Sequence, residues 1–452
     1  MTEQSHLAAS RELPPVGEIE GLVRFALAEA KRAGADAAEV SASASRGLAV
    51  KVRRGEVETL EHMRDRGLGV TVYCDGRKAS ASSADYSEAA IRETVRAALD
   101  IARHTSVDPC AGLADPEHLA AEVPDLDLYH PWDITPEAAI ELARECEAAA
   151  LAVDSRLTNS DGAELSTGEA VNAYGNSHGF VGGFAASQHG LGCVVVGREG
   201  EQMQREHWFS AARAAGDMEA AADVGREAGE RTARRLGARR LGTTSAPVLF
   251  AAPVARSLIG HFVGAVSGGS LYRRASFLVD SLGSRIFPEF VQMHEAPHLP
   301  RALGSAPFDA EGVATRPRAL VEDGVLQGYV LSSYSARKLG MITTGNAGGV
   351  HNLTVSGGER GLEALIRDMH RGLLVTQLMG QGVNPVTGDY SRGAAGFWVE
   401  DGAIAYPVEE ITVAGNLREM FRNLAAVGAD IDRRGNIRCG SLLVEGLTIA
   451  GE

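Results

Sequence analysis

The sequence predicts an α+β protein, with two N-terminal α+β domains that contain antiparallel sheets and a C-terminal β-rich domain that carries a buried helix. Three observations support this prediction. Helical periodicity gives way early to alternation with a period of two, hairpin and turn signals recur, and glycine is abundant, at 53 of 452 residues. We place the three domains at residues 1–108, 109–240 and 241–452.

The first elements are a helix followed by strands. Apolar residues recur at helical spacing over 18–33, and the pattern ends at Gly34. Apolar and polar residues then alternate around 40–52 and again over 68–72, which predicts strands. Asp75-Gly76 follows directly and is a strong hairpin signal, so we expect the neighbouring strands to be antiparallel.

A second helix and a linker complete the predicted first domain. The helix is expected over about 86–103, with Asp85 and Glu88 as its capping pair. Residues 105–133 carry four prolines among acidic residues and are typical of a linker. Thr135-Pro136 then predicts the start of the next helix, since threonine is a good cap and proline is tolerated in the first turn.

Shorter elements are predicted in the remainder of the chain. We expect turns at Ser160-Asp161-Gly162 and at Asn176-Ser177-His178-Gly179, and a helix over 217–236. From 245 onward, strands and Gly/Pro turns dominate. Helices interrupt them near 253–266, 328–339 and 359–370.

Composition excludes several classes of function. The formal net charge of −15 argues against binding of a nucleic-acid backbone, which requires an excess of Lys and Arg. No apolar run reaches the roughly 18 residues of a membrane span, and the polar segment 1–17 has no apolar core of a secretory signal. Five widely spaced cysteines form no CxxC motif. We therefore expect a cytoplasmic protein without a disulfide framework.

His261 is the first candidate site residue. It lies on the nearly apolar helix predicted near 253–266, so we expect it to be buried. A zinc-hydrolase helix needs two imidazoles on one face and a carboxylate that activates water. Here Phe262 follows His261, and Ala265 and Val266 stand where the second histidine would be. We interpret His261 as a packed or hydrogen-bonded core histidine, with a metal ligand as the alternative.

A second histidine motif imitates a zinc site. Residues His294-Glu295-Ala296-Pro297-His298 match the His-Glu-x-x-His pattern, which places two histidines together only on a helix. Pro297 lacks a backbone donor and disfavours helix at the residue before it. We therefore predict extended chain over 291–300 and a polar loop in place of a zinc site.

Three further features remain candidates for contact with a ligand or a substrate. The polar and cationic cluster Tyr272-Arg273-Arg274 could hold a carboxylate, although a solvated or internally paired face is the more common outcome. Asn346 lies in the Gly-rich segment 343–349, where it could adopt left-handed geometry in a turn that closely approaches other backbone. Cys439 lies in an alternating strand and is interpreted as a small buried hydrophobe, with a catalytic thiol as the alternative.

Three segments resemble the C-terminal domain of the TldD/PmbA family, and specifically its PmbA (TldE) branch. They are Ile259–Gly283, Gly304–Gly324 and Arg434–Gly446, which contain the candidates at 261, 272–274 and 439. The resemblance implies a cytosolic protein with two α+β domains and a β-rich third domain. It also implies a subunit of a heterodimeric zinc metalloprotease that cleaves small or unfolded peptides or matures peptide natural products.

The same resemblance assigns the metal to another chain. TldD-branch members carry a His-Glu-x-x-x-His helix, and their zinc site is completed by a C-terminal cysteine. This chain keeps only His261 and Cys439 of that set. We expect no cofactor here and zinc in a TldD-like partner; a homodimer is the alternative that stays open where that partner is absent. Two other hypotheses stay open: a stand-alone metal-dependent hydrolase, and a non-catalytic peptide-binding or scaffold protein.

Overall fold

A long antiparallel sheet builds the N-terminal half of the protein. The computed structural model describes residues 13–451, so most of the predicted polar segment 1–17 lies outside the described residues. The strands are β1 (Ala37–Arg53), β2 (Glu56–Cys74), β3 (Arg77–Ser83), β4 (Leu157–Asn176), β5 (Val181–Glu199) and β6 (Gln202–Ala212). They are hydrogen-bonded in the order β3-β2-β1-β4-β5-β6. The two alternating runs predicted around 40–52 form one continuous strand, β1.

Four helices cover one face of this sheet. They are α1 (Val16–Arg32), α2 (Glu88–Ala102), α3 (Pro136–Leu151) and α4 (Ala221–Arg234). The even-numbered residues of β1 face them, because side chains alternate along a strand. Val40 packs in the core beneath α1 and α2, and Val50 packs in the separate core beneath α3 and α4.

The two predicted N-terminal domains share this sheet. Strand β1 pairs with β2 on one side and with β4 on the other, so hydrogen bonding continues across residue 108. The segment predicted as a linker, 105–133, is largely irregular and lies against the sheet. Its Tyr129 donates a hydrogen bond of 2.8 Å to Glu169 of β4.

Local predictions in this half have mixed outcomes. The Asp75-Gly76 hairpin and the turn after Asn176 are confirmed. The turn expected at Ser160-Asp161-Gly162 is wrong, because these residues form a β-bulge inside β4. Gly162 has a positive φ of 107°, and glycine supplies such geometry in bulges as well as in turns, which explains the error. The cap of α2 is Ser87 and not the predicted Asp85; the Ser87 hydroxyl accepts a hydrogen bond from the amide of Ala90.

Two further sheets form the C-terminal half. Their strands are β7 (Thr244–Phe250), β8 (Gln292–Glu295), β9 (Arg318–Glu322), β10 (Val325–Leu326), β11 (Leu353–Ser356), β12 (Gly372–Met379), β13 (Asp389–Glu400), β14 (Ala403–Asn416), β15 (Leu424–Val427), β16 (Ile437–Arg438) and β17 (Leu442–Ala450). One sheet has the order β10-β9-β8-β11-β16, and the other has the order β14-β13-β12-β7-β17-β15. Strand β14 also pairs with β17, so five strands of the second sheet close on themselves.

The buried helix predicted in this half lies in the main core of the C-terminal domain. The helices here are α5 (Ala252–Ala265), α6 (Gly268–Tyr272), α7 (Ser333–Leu339), α8 (Leu362–Met369) and α9 (Leu417–Arg422). Phe262 of α5 packs in one cluster with Phe250 of β7 and Leu353 of β11, so residues from both sheets surround this helix. Helix α7 begins five residues later than predicted, at Ser333, where Ser332 caps it.

The fold is therefore α+β with a β-rich C-terminal region, as predicted. The C-terminal half meets the first sheet through an aromatic cluster in which Phe308 touches Phe180 and Phe184. Tyr334 of α7 adds a hydrogen bond of 2.6 Å to Asp108. Across residues 13–451, no helix has the length and apolarity that crossing a membrane requires.

Candidate functional site

His261 is held on the less buried side of α5. Pro253 lies in the first turn, where its missing amide donor costs nothing, and Leu258, Ile259 and Phe262 bury the opposite side. The His261 ring is half-buried, but its Nε2 atom is fully covered. This atom has no hydrogen-bond partner among the described residues.

Tyr390 of β13 lies beside this histidine. The two rings meet edge to face, with centroids 6.1 Å apart and planes at 77°. Tyr390 is 2% exposed, and its Oη also lacks a hydrogen-bond partner within residues 13–451. Two neighbouring side chains thus each present a buried polar atom without a protein partner.

Burial and a nearby cation set the protonation of this pair. Burial lowers the pKa of His261 below its usual 6.5, and the positive charge of Arg392 lowers it further. Burial raises the pKa of Tyr390 to about 12, and Arg392 opposes that rise. At neutral pH the imidazole is therefore neutral and the phenol is protonated. Together they can both donate and accept hydrogen bonds.

Unpartnered buried polar atoms are rare in native structures and cost about 1–3 kcal/mol each. Their concentration at one place is a feature of binding and catalytic sites, where a ligand supplies the missing partner. We therefore take His261 and Tyr390, with Arg392, as the candidate functional site.

The predicted cluster Tyr272-Arg273-Arg274 lies at the end of α6. The guanidinium of Arg273 packs over the Tyr272 ring at 5.1 Å and donates to its hydroxyl at 3.0 Å. Arg274 is exposed, has a positive φ of 54°, and lies 3.4 Å from Asp280. Tyr272 also meets Tyr334 edge to face. The cluster is partly paired within the chain and keeps two cationic side chains at the surface.

The His-Glu-x-x-His motif does not form a helix. His294 and Glu295 lie in strand β8, as the prediction of extended chain required. Their side chains therefore leave opposite faces: His294 is exposed, and Glu295 is 2% exposed. Glu295 accepts from Arg318 at 2.8 Å and from the amide of His351 at 2.6 Å. Its carboxylate is thus engaged within the fold.

Asn346 belongs to the network around Glu295. Its side-chain amide donates to Glu295 at 2.7 Å and to the carbonyl of Gly349 at 3.0 Å. The left-handed geometry expected for Asn346 is wrong, since positive φ angles fall on Gly345, Gly348 and Gly349. Glycine adopts that geometry at no steric cost, so the neighbouring asparagine is not needed for it. The close approach predicted for this segment occurs at Gly345, where an added Cβ would lie 2.8 Å from the carbonyl oxygen of Ala314.

Cys439 is completely buried in the core that also contains Ile259 and Phe262. Burial raises the pKa of its thiol well above the usual range, with Asp430 and Asp432 adding to the effect. The thiol donates to the carbonyl of Gly440 at 3.1 Å. A neutral, enclosed thiol fits the interpretation of Cys439 as a small hydrophobe.

Within the described residues, the groups near His261 do not form the donor set of a zinc site. Across residues 13–451, no three or more His, Cys, Asp or Glu side chains are grouped so that they could hold a metal. On the helix of His261, the two positions where a second histidine would stand are occupied by Ala265 and Val266. The nearby polar groups are a phenol and a guanidinium, and neither is a usual zinc ligand.

The structure brings some of the predicted site residues into contact and shows two further ones. Tyr272 and Arg273 contact each other, and Asn346 joins Glu295, which sequence reasoning had treated only as part of a false motif. Tyr390 and Arg392 were missed. The available signal was that Tyr390 and Arg392 stand two residues apart in one strand, because such residues share one face.

Comparison with known proteins places all three parts of the chain in one family. PmbA/TldA metallopeptidase domain 1 matches residues 38–102, the central domain matches 129–236, and the C-terminal domain matches 243–451. Metalloprotease PmbA of Escherichia coli O157:H7 is 51% identical over 417 residues, which are 92% of this chain and 93% of that protein.

Solved structures agree with this assignment. A candidate modulator of DNA gyrase from Bacteroides thetaiotaomicron has a TM-score of 0.91 and 29% identity, over 96% of this chain and 99% of that one. TldE from Thermococcus kodakarensis, at 22% identity and a TM-score of 0.83 over 96% of this chain and 99% of its own, shares the fold. The chain belongs to the PmbA/TldD metallopeptidase family.

Proposed function

We propose that this chain is the PmbA/TldE-type subunit of a two-chain zinc peptidase. A TldD-like partner holds the zinc ion, and this chain completes the cleft that takes small or unfolded peptides or the precursors of peptide natural products. One observation carries the proposal: α5 offers a single imidazole, His261, where a zinc-hydrolase helix needs two histidines and a carboxylate.

His261 and Tyr390 are the proposed peptide contacts. A peptide backbone presents N–H donors and C=O acceptors at regular intervals. The neutral imidazole and the phenol supply both kinds of partner, and each has an atom that needs one. Such contacts do not depend on side-chain identity, which suits a peptidase that acts on many unfolded chains.

Arg273 and Arg274 are the proposed contacts for a carboxylate. Both are exposed, and Arg273 is held in place by stacking on Tyr272. A guanidinium binds a carboxylate through two parallel hydrogen bonds, so an ordered arginine is suited to a peptide C-terminus.

The assignment of zinc to the partner is tested by purifying three samples: this chain alone, a TldD-like protein from the same host, and the two produced together. Zinc is then counted per chain by elemental analysis, and the stoichiometry is measured by light scattering. We expect a one-to-one complex with one zinc ion, which stays with the TldD-like protein when the chains are separated. One tightly bound zinc per copy of this chain alone, together with cleavage of unstructured peptides, would instead establish a stand-alone hydrolase.

A further inference from the structure

A cavity of about 530 Å³ lies between helix α4 of the N-terminal half and the C-terminal sheet, and His261 is not among its lining residues. Its walls are α4 and the residue after it, helix α8, and the strands β12, β13 and β14. This volume falls within the range of about 300–1,000 Å³ that is typical of small-molecule sites. Its lining residues Ile366, Leu374 and Phe397 belong to a small hydrophobic core, which is separate from the core that contains the buried residues of α5.

Most of the cavity wall is hydrocarbon. The apolar side chains belong to Ala251, Leu362, Ile366, Leu374, Phe397 and Ile404. From Leu362 to Ile404, the polar side chains of the lining are Glu363, Arg367 and Thr376, and the other side chains there are hydrocarbon. A ligand with polar groups along its length would therefore lose hydrogen bonds to water without gaining others.

Two polar residues that line the cavity are incompletely hydrogen-bonded. Arg235 is 5% exposed, and its Nη1 atom donates to Glu206 at 2.9 Å and to the side-chain oxygen of Gln377 at 2.5 Å. Its Nε atom is buried and has no partner in the described part of the chain. The hydroxyl of Thr376 is likewise buried without a partner within residues 13–451.

A break in the sheet accompanies the Thr376 position. The register between β12 and β13 shifts between Val375 and Gln377, so Thr376 is left out of the strand pairing. Bulges of this kind re-aim side chains and are frequent beside functional sites. Two of the residues that line the cavity, Arg235 and Thr376, thus each have a polar atom without a hydrogen-bond partner within residues 13–451.

The charge around the cavity favours an anion. Four arginines contribute to its walls, at 231, 234, 235 and 367, against glutamates at 206, 227 and 363. Two of the arginines are paired with glutamates: Arg235 with Glu206, and Arg231 with Glu227 at 2.6 Å. Arg234 instead lies over the Phe397 ring at 5.5 Å. The walls therefore carry a formal excess of one positive charge.

We propose that this cavity binds an unbranched, medium-chain carboxylate, such as a fatty acid. The hydrocarbon chain would lie along the apolar wall between α8 and the sheet. The carboxylate would accept hydrogen bonds from Arg235 and Thr376. The proposal does not depend on the proposed peptidase role, because it concerns a different face of the C-terminal sheet. A hydrophobic dipeptide carries the same carboxylate but would bury an amide against hydrocarbon, so it should bind more weakly.

The test uses the full-length chain and isothermal titration calorimetry. The ligands are acetate, octanoate, decanoate, decanol and N-acetyl-leucyl-leucine. We expect no binding of acetate, and tighter binding of decanoate than of octanoate, by about fourfold for each added methylene group. Decanol should bind at least about tenfold more weakly than decanoate, because it lacks the charge-assisted hydrogen bonds. Absence of decanoate binding, equal affinity for decanol, or tighter binding of the dipeptide would overturn the proposal.

Variants locate the ligand. Ile404→Trp fills the cavity and should abolish decanoate binding while circular dichroism stays native. Should that variant fail to fold, Leu362→Trp at a half-buried position makes the same test. Thr376→Val removes the hydroxyl at constant shape and should weaken binding by about three- to tenfold. Thr412→Val on β14, outside the cavity, is the matched control and should bind like the parent. Unchanged decanoate binding in a folded cavity-filling variant would place the ligand elsewhere and contradict the proposal.

Discussion

The rings of His261 and Tyr390 meet edge to face at 6.1 Å, and each carries a buried polar atom with no hydrogen-bond partner in the described part of the chain. The two residues come from different layers of the C-terminal domain, α5 and β13. Their meeting is therefore a product of the fold and not of a local motif. In the proposed role, this pair is where the subunit contacts a peptide backbone.

The Tyr390 hydroxyl should be dispensable for stability and needed for activity. Tyr390→Phe keeps the buried ring and removes an unpartnered oxygen. We expect the free energy of unfolding to stay the same or to rise by up to about 1 kcal/mol, measured by urea denaturation. Peptide cleavage by the complex with a TldD-like partner should fall.

Tyr329→Phe is the matched control for that variant. The Tyr329 ring is also buried, but its hydroxyl accepts from the amide of Leu282 at 3.1 Å. Its removal should lower the free energy of unfolding by about 1 kcal/mol. If Tyr390→Phe destabilises the protein as much as Tyr329→Phe, the Tyr390 hydroxyl has a partner and the argument for a binding pair fails.

His261 should make the protein less stable in mild acid. Burial and Arg392 hold its folded-state pKa below the unfolded value of about 6.5, so the unfolded state binds more protons below that pH. The free energy of unfolding should therefore fall as the pH drops from about 6.5 toward the folded-state pKa. His261→Phe removes this contribution. A pH dependence of unfolding that is identical in parent and variant would show that His261 titrates normally.

Glu295 should matter for stability and His294 should not. Glu295→Gln removes the charge that pairs with the largely buried Arg318, and it should lower the free energy of unfolding by about 3 kcal/mol. His294→Ala changes an exposed residue and should stay within about 0.5 kcal/mol of the parent. Loss of bound zinc on His294→Ala would instead make the His-Glu-x-x-His motif a metal site.

Arg273 and Arg274 should affect substrate binding more than turnover. Both side chains are exposed, so replacing both with Ala should leave the fold intact. In the complex with a TldD-like partner, the double variant should raise KM for peptides with little change in kcat, because binding to ground and transition states is lost equally. An unchanged KM in a folded, assembled double variant would remove these arginines from the substrate site.

Much of the fold was predictable because local signals agreed with the tertiary structure. Pro253 and the apolar run after it fixed the bounds of α5 to within one residue of those predicted. Pro297 was sufficient to exclude a helix over the histidine motif. The prediction failed where two kinds of local structure favour the same residue types. Ser160-Asp161-Gly162 has the composition of a turn but forms a bulge.

The candidate site was only half predictable. His261 was a candidate because of the helix on which it lies. Tyr390 lies 129 residues away in the sequence and contacts His261 only because β13 packs near α5. The unpartnered state of both atoms is a property of the packed structure. No periodicity or spacing reports it. The same holds for the unpartnered atoms of Arg235 and Thr376, and Thr376 also lies at a register shift between two strands.

The two-chain peptidase is tested most directly by a peptidase assay on mixed chains. Purified chain and a purified TldD-like protein from the same host are assayed separately and together on an unstructured peptide. We expect the mixture to cleave the peptide at a rate well above the sum of the two separate rates, and Tyr390→Phe in this chain to lower the rate of the mixture. A TldD-like protein that is fully active alone and unaffected by this chain would rule out the two-chain peptidase.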